Sequence, residues 1–91
     1  MTIEASYRLG HAREQLNEID GALRAYQAAA AGAPRSHPYR LSAVARCAAL
    51  YEARKDVRRA LESYKDIIRN AKDPELVAAA SDRASQLEGH K

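Results

Sequence analysis

Few side chains in this 91-residue chain could do covalent or metal chemistry, and they do not converge. The three histidines, His11, His37 and His90, fall on a helix, a connection and a tail. None belongs to a His-Glu-x-x-His pair, and Cys47 has no second cysteine at metal-ligand spacing. The glycines are scattered, so no phosphate-cradling loop is formed. A nucleophilic cysteine needs a base and an accessible electropositive setting. Cys47 instead falls on the apolar side of a helix, where a thiol packs as a small hydrophobe. No catalytic, cofactor or metal site is expected, and a non-catalytic protein is.

The one concentration of charge is Arg54, Lys55, Arg58 and Arg59. Such a turn could touch an acidic protein, lipid headgroups or RNA. It also has an ordinary use: Arg54 and Lys55 complement a helix C-terminus, and Arg58 pairs with Glu62 at i+4. Net charge is only +3 with both signs interspersed, whereas a nucleic-acid binder concentrates its basic residues in a stripe. No stretch approaches the roughly 20 apolar residues of a membrane span. No charged-then-apolar leader opens the chain, so the expected compartment is the cytoplasm, or the periplasm or envelope if the chain is part of a longer protein. Abundant alanine with arginine exceeding lysine suggests a GC-rich bacterial gene.

What organises these residues is a repeat. Ala22-Leu23-Arg24-Ala25-Tyr26 and Ala60-Leu61-Glu62-Ser63-Tyr64 are variants of one phrase, 38 residues apart (60 − 22). The correspondence extends back through Leu9-Gly10 and Cys47-Ala48, Glu14 and Glu52, and Ile19 and Val57. A period of roughly 20–50 residues implies units that bury their apolar faces only against neighbours.

Five helices follow from the patterning. The first spans about 3–16, with Ile3, Leu9, Gly10, Ala12 and Leu16 at helical spacing, and Asn17 suits the left-handed turn that ends it. The second spans about 19–31, with a stripe of Ile19, Ala22, Leu23, Tyr26, Ala29 and Ala30, stopped by Gly32 and Pro34. Ser36 is the expected cap of the third, with Pro38 in its first turn and Leu41, Val44, Ala48 and Tyr51 facing inward. Asp56 caps the fourth, whose stripe is Val57, Ala60, Leu61, Tyr64, Ile67 and Ile68. Asp73-Pro74-Glu75 opens the fifth, about 74–88, with Val77, Ala80, Ala84 and Leu87 inward. Its other side is polar, as a terminal cap requires, and Gly89-His90-Lys91 is an expected frayed end.

Leu9-Gly10, Ala22, Tyr26, Ala29 and Pro34, followed by Cys47-Ala48, Tyr51, Ala60, Tyr64 and Ile67, resemble the tetratricopeptide repeat over about residues 3–88. Departures are Ser6 and Val44 in place of tryptophan, Arg13 in place of tyrosine, Cys47 in place of leucine, and a connector longer by four residues near Arg35 to Pro38. The resemblance implies an all-α, right-handed α-α superhelix in a single domain. Repeat one covers about 3–34, repeat two about 38–71, and a capping helix about 74–88.

The same resemblance implies a protein–protein interaction module, an adaptor or assembly scaffold, with a groove lined by its first helices. Carried over, that groove is Glu4, Tyr7, His11, Glu14 and Gln15, then Ser42, Ala45, Ala49, Glu52 and Ala53. Tyr7, His11, Ala45 and Ala49 stand where some members hold a carboxylate with Lys, Asn and Arg, so no such clamp is implied. A shallow floor with Tyr7 as anchor and Glu14 and Glu52 as an acidic rim suits an apolar or basic helix or extended peptide. Against this stand a merely solvated face, contact with a preceding repeat of a longer array, and self-association through an uncovered Ile3, Leu9 and Leu16. Weak nucleic-acid binding through the basic turn is the remaining alternative.

Overall fold

The computed structural model describes residues 2–35 and 37–89, and all regular structure among them is helical. The helices are α1 (Ile3–Gln15), α2 (Ile19–Ala31), α3 (Pro38–Ala53), α4 (Val57–Asn70) and α5 (Pro74–Glu88). Each packs on its neighbours in sequence, and α1 also meets α3. The Cα radius of gyration is 12.5 Å, close to the roughly 12 Å of a compact chain this long. The thinnest dimension, 17 Å, leaves room for about two helix layers.

Local chemistry sets the boundaries. Thr2 caps α1, accepting from the Ala5 N–H at 3.0 Å; Asp56 and Asp73 cap α4 and α5 as expected. The α3 cap differs from expectation. His37 holds that position, and its Nδ1 accepts from the Tyr39 N–H at 3.1 Å. Ser36 lies outside the described residues, as do His90 and Lys91 of the expected frayed end.

Two of the connections are the same turn. After α1, Asn17 adopts φ 62°, its N–H bonds to the Glu14 carbonyl at 2.9 Å, and the Glu18 N–H bonds to the Arg13 carbonyl at 2.8 Å. After α3, Lys55 adopts φ 63°, its N–H bonds to the Glu52 carbonyl at 2.9 Å, and the Asp56 N–H bonds to the Tyr51 carbonyl at 2.9 Å. This is the Schellman pair of bonds, which satisfies the last carbonyls of a helix through one left-handed residue. The chain is therefore two helical hairpins, α1–α2 and α3–α4, followed by α5.

The core has two lobes that meet at α3. Ala22, Leu23, Tyr26 and Ala29 of α2 pack with Ala43, Cys47 and Leu50 of α3. Val44 and Ala48 of α3 pack with Ala60, Tyr64 and Ile67 of α4 and with Ala80 and Ala84 of α5. Tyr26 and Ile67 are the largest fully buried side chains, and each such burial stabilises the fold by about 1.5–3 kcal/mol. Leu16 and Val57, expected on inward stripes, are instead 69% and 39% exposed, while Leu9 is half-buried. Both exposed residues flank turns, Leu16 as the C-cap of α1 and Val57 as the first residue of α4. No helix of the described residues is long and apolar enough to cross a membrane.

Candidate functional site

The face carried by α1 and α3 repeats with the chain. Glu4, Tyr7, His11 and Glu14 lie three and four residues apart, and so do Ser42, Ala45, Ala49 and Glu52, so each set forms one stripe of its helix. Contacts join the stripes. The Tyr7 ring lies 5.5 Å from both the Tyr26 and Tyr39 rings, and His37 stacks on Tyr39 at 6.0 Å. Ser42, Ala45 and Ala49 are half-buried, and His11 and Gln15 are exposed at one margin. The result is a shallow small-residue floor beside a tyrosine edge.

Of the three carboxylates on the α1 and α3 stripes, Glu4 pairs with Arg8 at 2.6 Å near the surface, and Glu14 and Glu52 are engaged more deeply. Glu14 accepts from the Tyr26 hydroxyl at 2.9 Å and from both the Nε (3.1 Å) and Nη2 of Arg46. Glu52 accepts from the Tyr64 hydroxyl and from the Nε (3.4 Å) and Nη2 of Arg83. Each trio links a hairpin to the unit that follows it: Arg46 reaches back from α3 to α1, and Arg83 from α5 to α3. The expected acidic rim is thus a pair of neutralised rungs, with the Glu14 and Glu52 side chains only 16% and 15% exposed.

The electrostatics follow from these bonds. Burial alone would raise the Glu14 and Glu52 carboxyls, but hydrogen bonds from Arg and Tyr and the Arg charge outweigh it, and both sit below the ordinary value. The Tyr26 and Tyr64 phenols are pushed up by burial and by the carboxylates they donate to. Burial, aided by the Glu14 charge, pushes the Cys47 thiol up to about 12, so at neutral pH it holds its proton and is a poor nucleophile. Among the described residues, no group of three or more His, Cys, Asp and Glu is placed to hold a metal ion.

The basic turn is largely paired. Arg54 meets Asp20 of α2 at 2.6 Å, Arg59 meets Asp56 at 3.7 Å, and Arg58 meets Glu62 at 4.0 Å. Lys55 occupies the left-handed turn position. The four charges do not form a single unopposed stripe.

Two open clefts also repeat. One, of about 420 Å³, lies between α1 and α2 and is lined by Ser6, Leu9, Arg13, Gly21, Arg24, Ala25 and Ala28. Shifted by 38, those seven positions become Val44, Cys47, Tyr51, Arg59, Glu62, Ser63 and Asp66, which line a cleft of about 500 Å³ between α3 and α4. The second cleft is additionally lined by Arg40 and by Gln27 and Ala30 of α2.

Tyr39, His37, Arg46 and Arg83 escaped the sequence reading. Tyr39 and His37 carry a signal, being aromatic residues at the start of a helix next to the Tyr7 stripe. Arg46 and Arg83 carry none in the repeat: matched on Pro38 and Pro74, Arg83 aligns with Cys47 rather than Arg46. The chain matches no protein-family model, no curated protein and no solved structure.

Proposed function

We propose that the chain is a tetratricopeptide-like module, a right-handed superhelix of two repeats and a capping helix, that binds another protein on the α1–α3–α5 face. The observation that carries it is the state of that face. Glu14 and Glu52 are consumed internally, and what α1 and α3 leave to a visitor is chiefly the Tyr7–Tyr39 edge and the Ser42, Ala45 and Ala49 floor. Tyrosine supplies apolar contact area and a polar tip at low entropic cost, and small residues let a helix approach closely. The partner is therefore an apolar-faced helix or extended segment. Bacterial origin and a cytoplasmic setting belong to the same proposal, as does a non-catalytic role as adaptor or scaffold.

The test is affinity capture from bacterial lysate with the wild type, Tyr7→Ala/Tyr39→Ala, Ala49→Arg and Arg58→Glu/Arg59→Glu, each checked for helicity by circular dichroism. The expected result is a partner retained by the arginine pair and lost with both other variants. A partner lost only with the arginine pair moves the function to the basic turn and defeats the proposal. Ala49→Arg alters the floor without touching the tyrosine packing, so it separates binding from folding.

A further inference from the structure

We propose that the open cleft between α1 and α2 receives the outer face of α5 from a second copy, so that the chain stacks head to tail. The internal repeat shows what this cleft lacks. In the α3–α4 cleft, α2 forms one wall: the Gln27 amide donates to the Tyr51 hydroxyl at 2.8 Å, Ala30 lines the cleft, and Asp20 holds Arg54. The positions equivalent to Tyr51 and Arg54 in the first hairpin are Arg13 and Leu16. Arg13 lies over Gly21 of α2, its own hairpin partner, but no helix of the described residues takes the place that α2 takes beside the second hairpin, and Leu16 is left 69% exposed.

The replacements describe the visitor. The charged residues lining the α1–α2 cleft are both positive, Arg13 and Arg24, where the α3–α4 cleft carries Glu62, Asp66 and Arg59 as well as Arg40. Arg13 has one distant partner, Glu18 at 3.8 Å, and Arg24 has no ion pair among the described residues. A visiting helix must therefore bring acids, with small residues between them so that it can lie as close as Ala30 allows α2 to lie.

The opposite end of the molecule offers that surface. On α5, Glu75, Ala78, Ala79 and Asp82 are all exposed and fall at i, i+3, i+4 and i+7, which is one helical stripe. Neither Glu75 nor Asp82 is in an ion pair among the described residues. The other helix that could visit, α4, is excluded by charge: its counterparts of Asp20 and Gln27 are Arg58 and Lys65. A basic end meeting an acidic end is a heterologous contact. Unless its rotation closes a ring, such a contact propagates into open chains of copies.

Sedimentation velocity from about 10 µM to about 1 mM at low salt tests this, a range that covers micromolar to millimolar dissociation constants. The expected result is mass-action growth of the wild type beyond the dimer. Arg24→Glu and Asp82→Arg, both at exposed positions, should each weaken association about tenfold or more by placing like charges together. An equimolar mixture of those two variants should recover hetero-association, because the reversed pair meets at one of the two junctions. Tyr7→Ala/Tyr39→Ala should leave assembly unchanged, which keeps this contact separate from the Tyr7–Tyr39 edge. A wild type monomeric throughout, assembly indifferent to both reversals, or a mixture that does not recover would each overturn the proposal.

Discussion

The α1–α2 and α3–α4 hairpins share their wiring and differ in what surrounds them. Both turn through one left-handed residue, and both tie a buried tyrosine to a glutamate on the preceding helix. They diverge at the crossing of their two helices and at positions that look toward the preceding unit. Gly10 crosses Tyr26 where Ala48 stands in the second hairpin, Arg13 replaces Tyr51, and Leu16 replaces Arg54. The left-handed turn, the Tyr–Glu bond and the arginine from the following unit are thus repeated, while the helix crossing and the positions toward the preceding unit change. Stability in a row of this kind is nearly a sum of unit terms and nearest-neighbour terms.

The sharpest way to break the equivalence is at the crossing. A Cβ at Gly10 would lie 2.7–2.9 Å from three atoms of the Tyr26 ring, which is itself fully buried. Gly10→Ala should therefore destabilise by about 1–3 kcal/mol through overpacking. Helix propensity alone predicts the opposite sign, a gain of about 1 kcal/mol. Ala48→Gly in the second hairpin should cost about 1 kcal/mol or more, since it combines lost propensity with lost packing. Urea titration of both variants decides: a stabilised Gly10→Ala would mean that the two crossings are equally roomy.

The rungs come next in size. Glu14→Gln and Glu52→Gln should each lose about 1–2 kcal/mol near neutral pH, as expected for hydrogen bonds to a charged acceptor. Both carboxyls are held below the ordinary 4.5, so the folded state binds fewer protons than the unfolded one in acid. Their contribution is complete above that value and is lost as pH falls through the folded value. The gap between wild type and each variant should accordingly shrink on acidification. A gap independent of pH between 7 and 3 would show that the rungs act by shape alone.

The smallest difference lies at the turns. Lysine in the left-handed region costs about 1–2 kcal/mol, a cost that asparagine partly escapes. Lys55→Gly should recover about 0.5–1 kcal/mol. Asn17→Gly should recover less, and thermal melts should rank the two in that order. Equal shifts would remove this distinction between the hairpins.

The helices were legible because period, caps and breakers agreed: Gly32 and Pro34 end α2, and Asp73-Pro74 opens α5. Asn17 announced its turn, whereas Lys55 did not, since nothing about lysine favours φ 63° except its place in the repeat. Glu14 and Glu52 were visible as a repeated pair, but not as buried bonds, because each takes its arginine from the next unit and the two arginines approach from different helical positions. Leu16 read as core from its spacing alone. Its exposure depends on which helix stands beyond it, and no pattern within α1 encodes that.

The two faces of α3 carry a consequence for how the molecule comes apart. Ala43, Cys47 and Leu50 belong to one lobe of the core, and Val44 and Ala48 to the other, on adjacent faces of one helix. Detaching either hairpin strips one flank of α3 and leaves that helix half solvated, with a nucleation cost and too little packing to meet it. The central helix therefore couples the two lobes: the outer helices can fray on their own, but losing either hairpin weakens the packing of the other through α3.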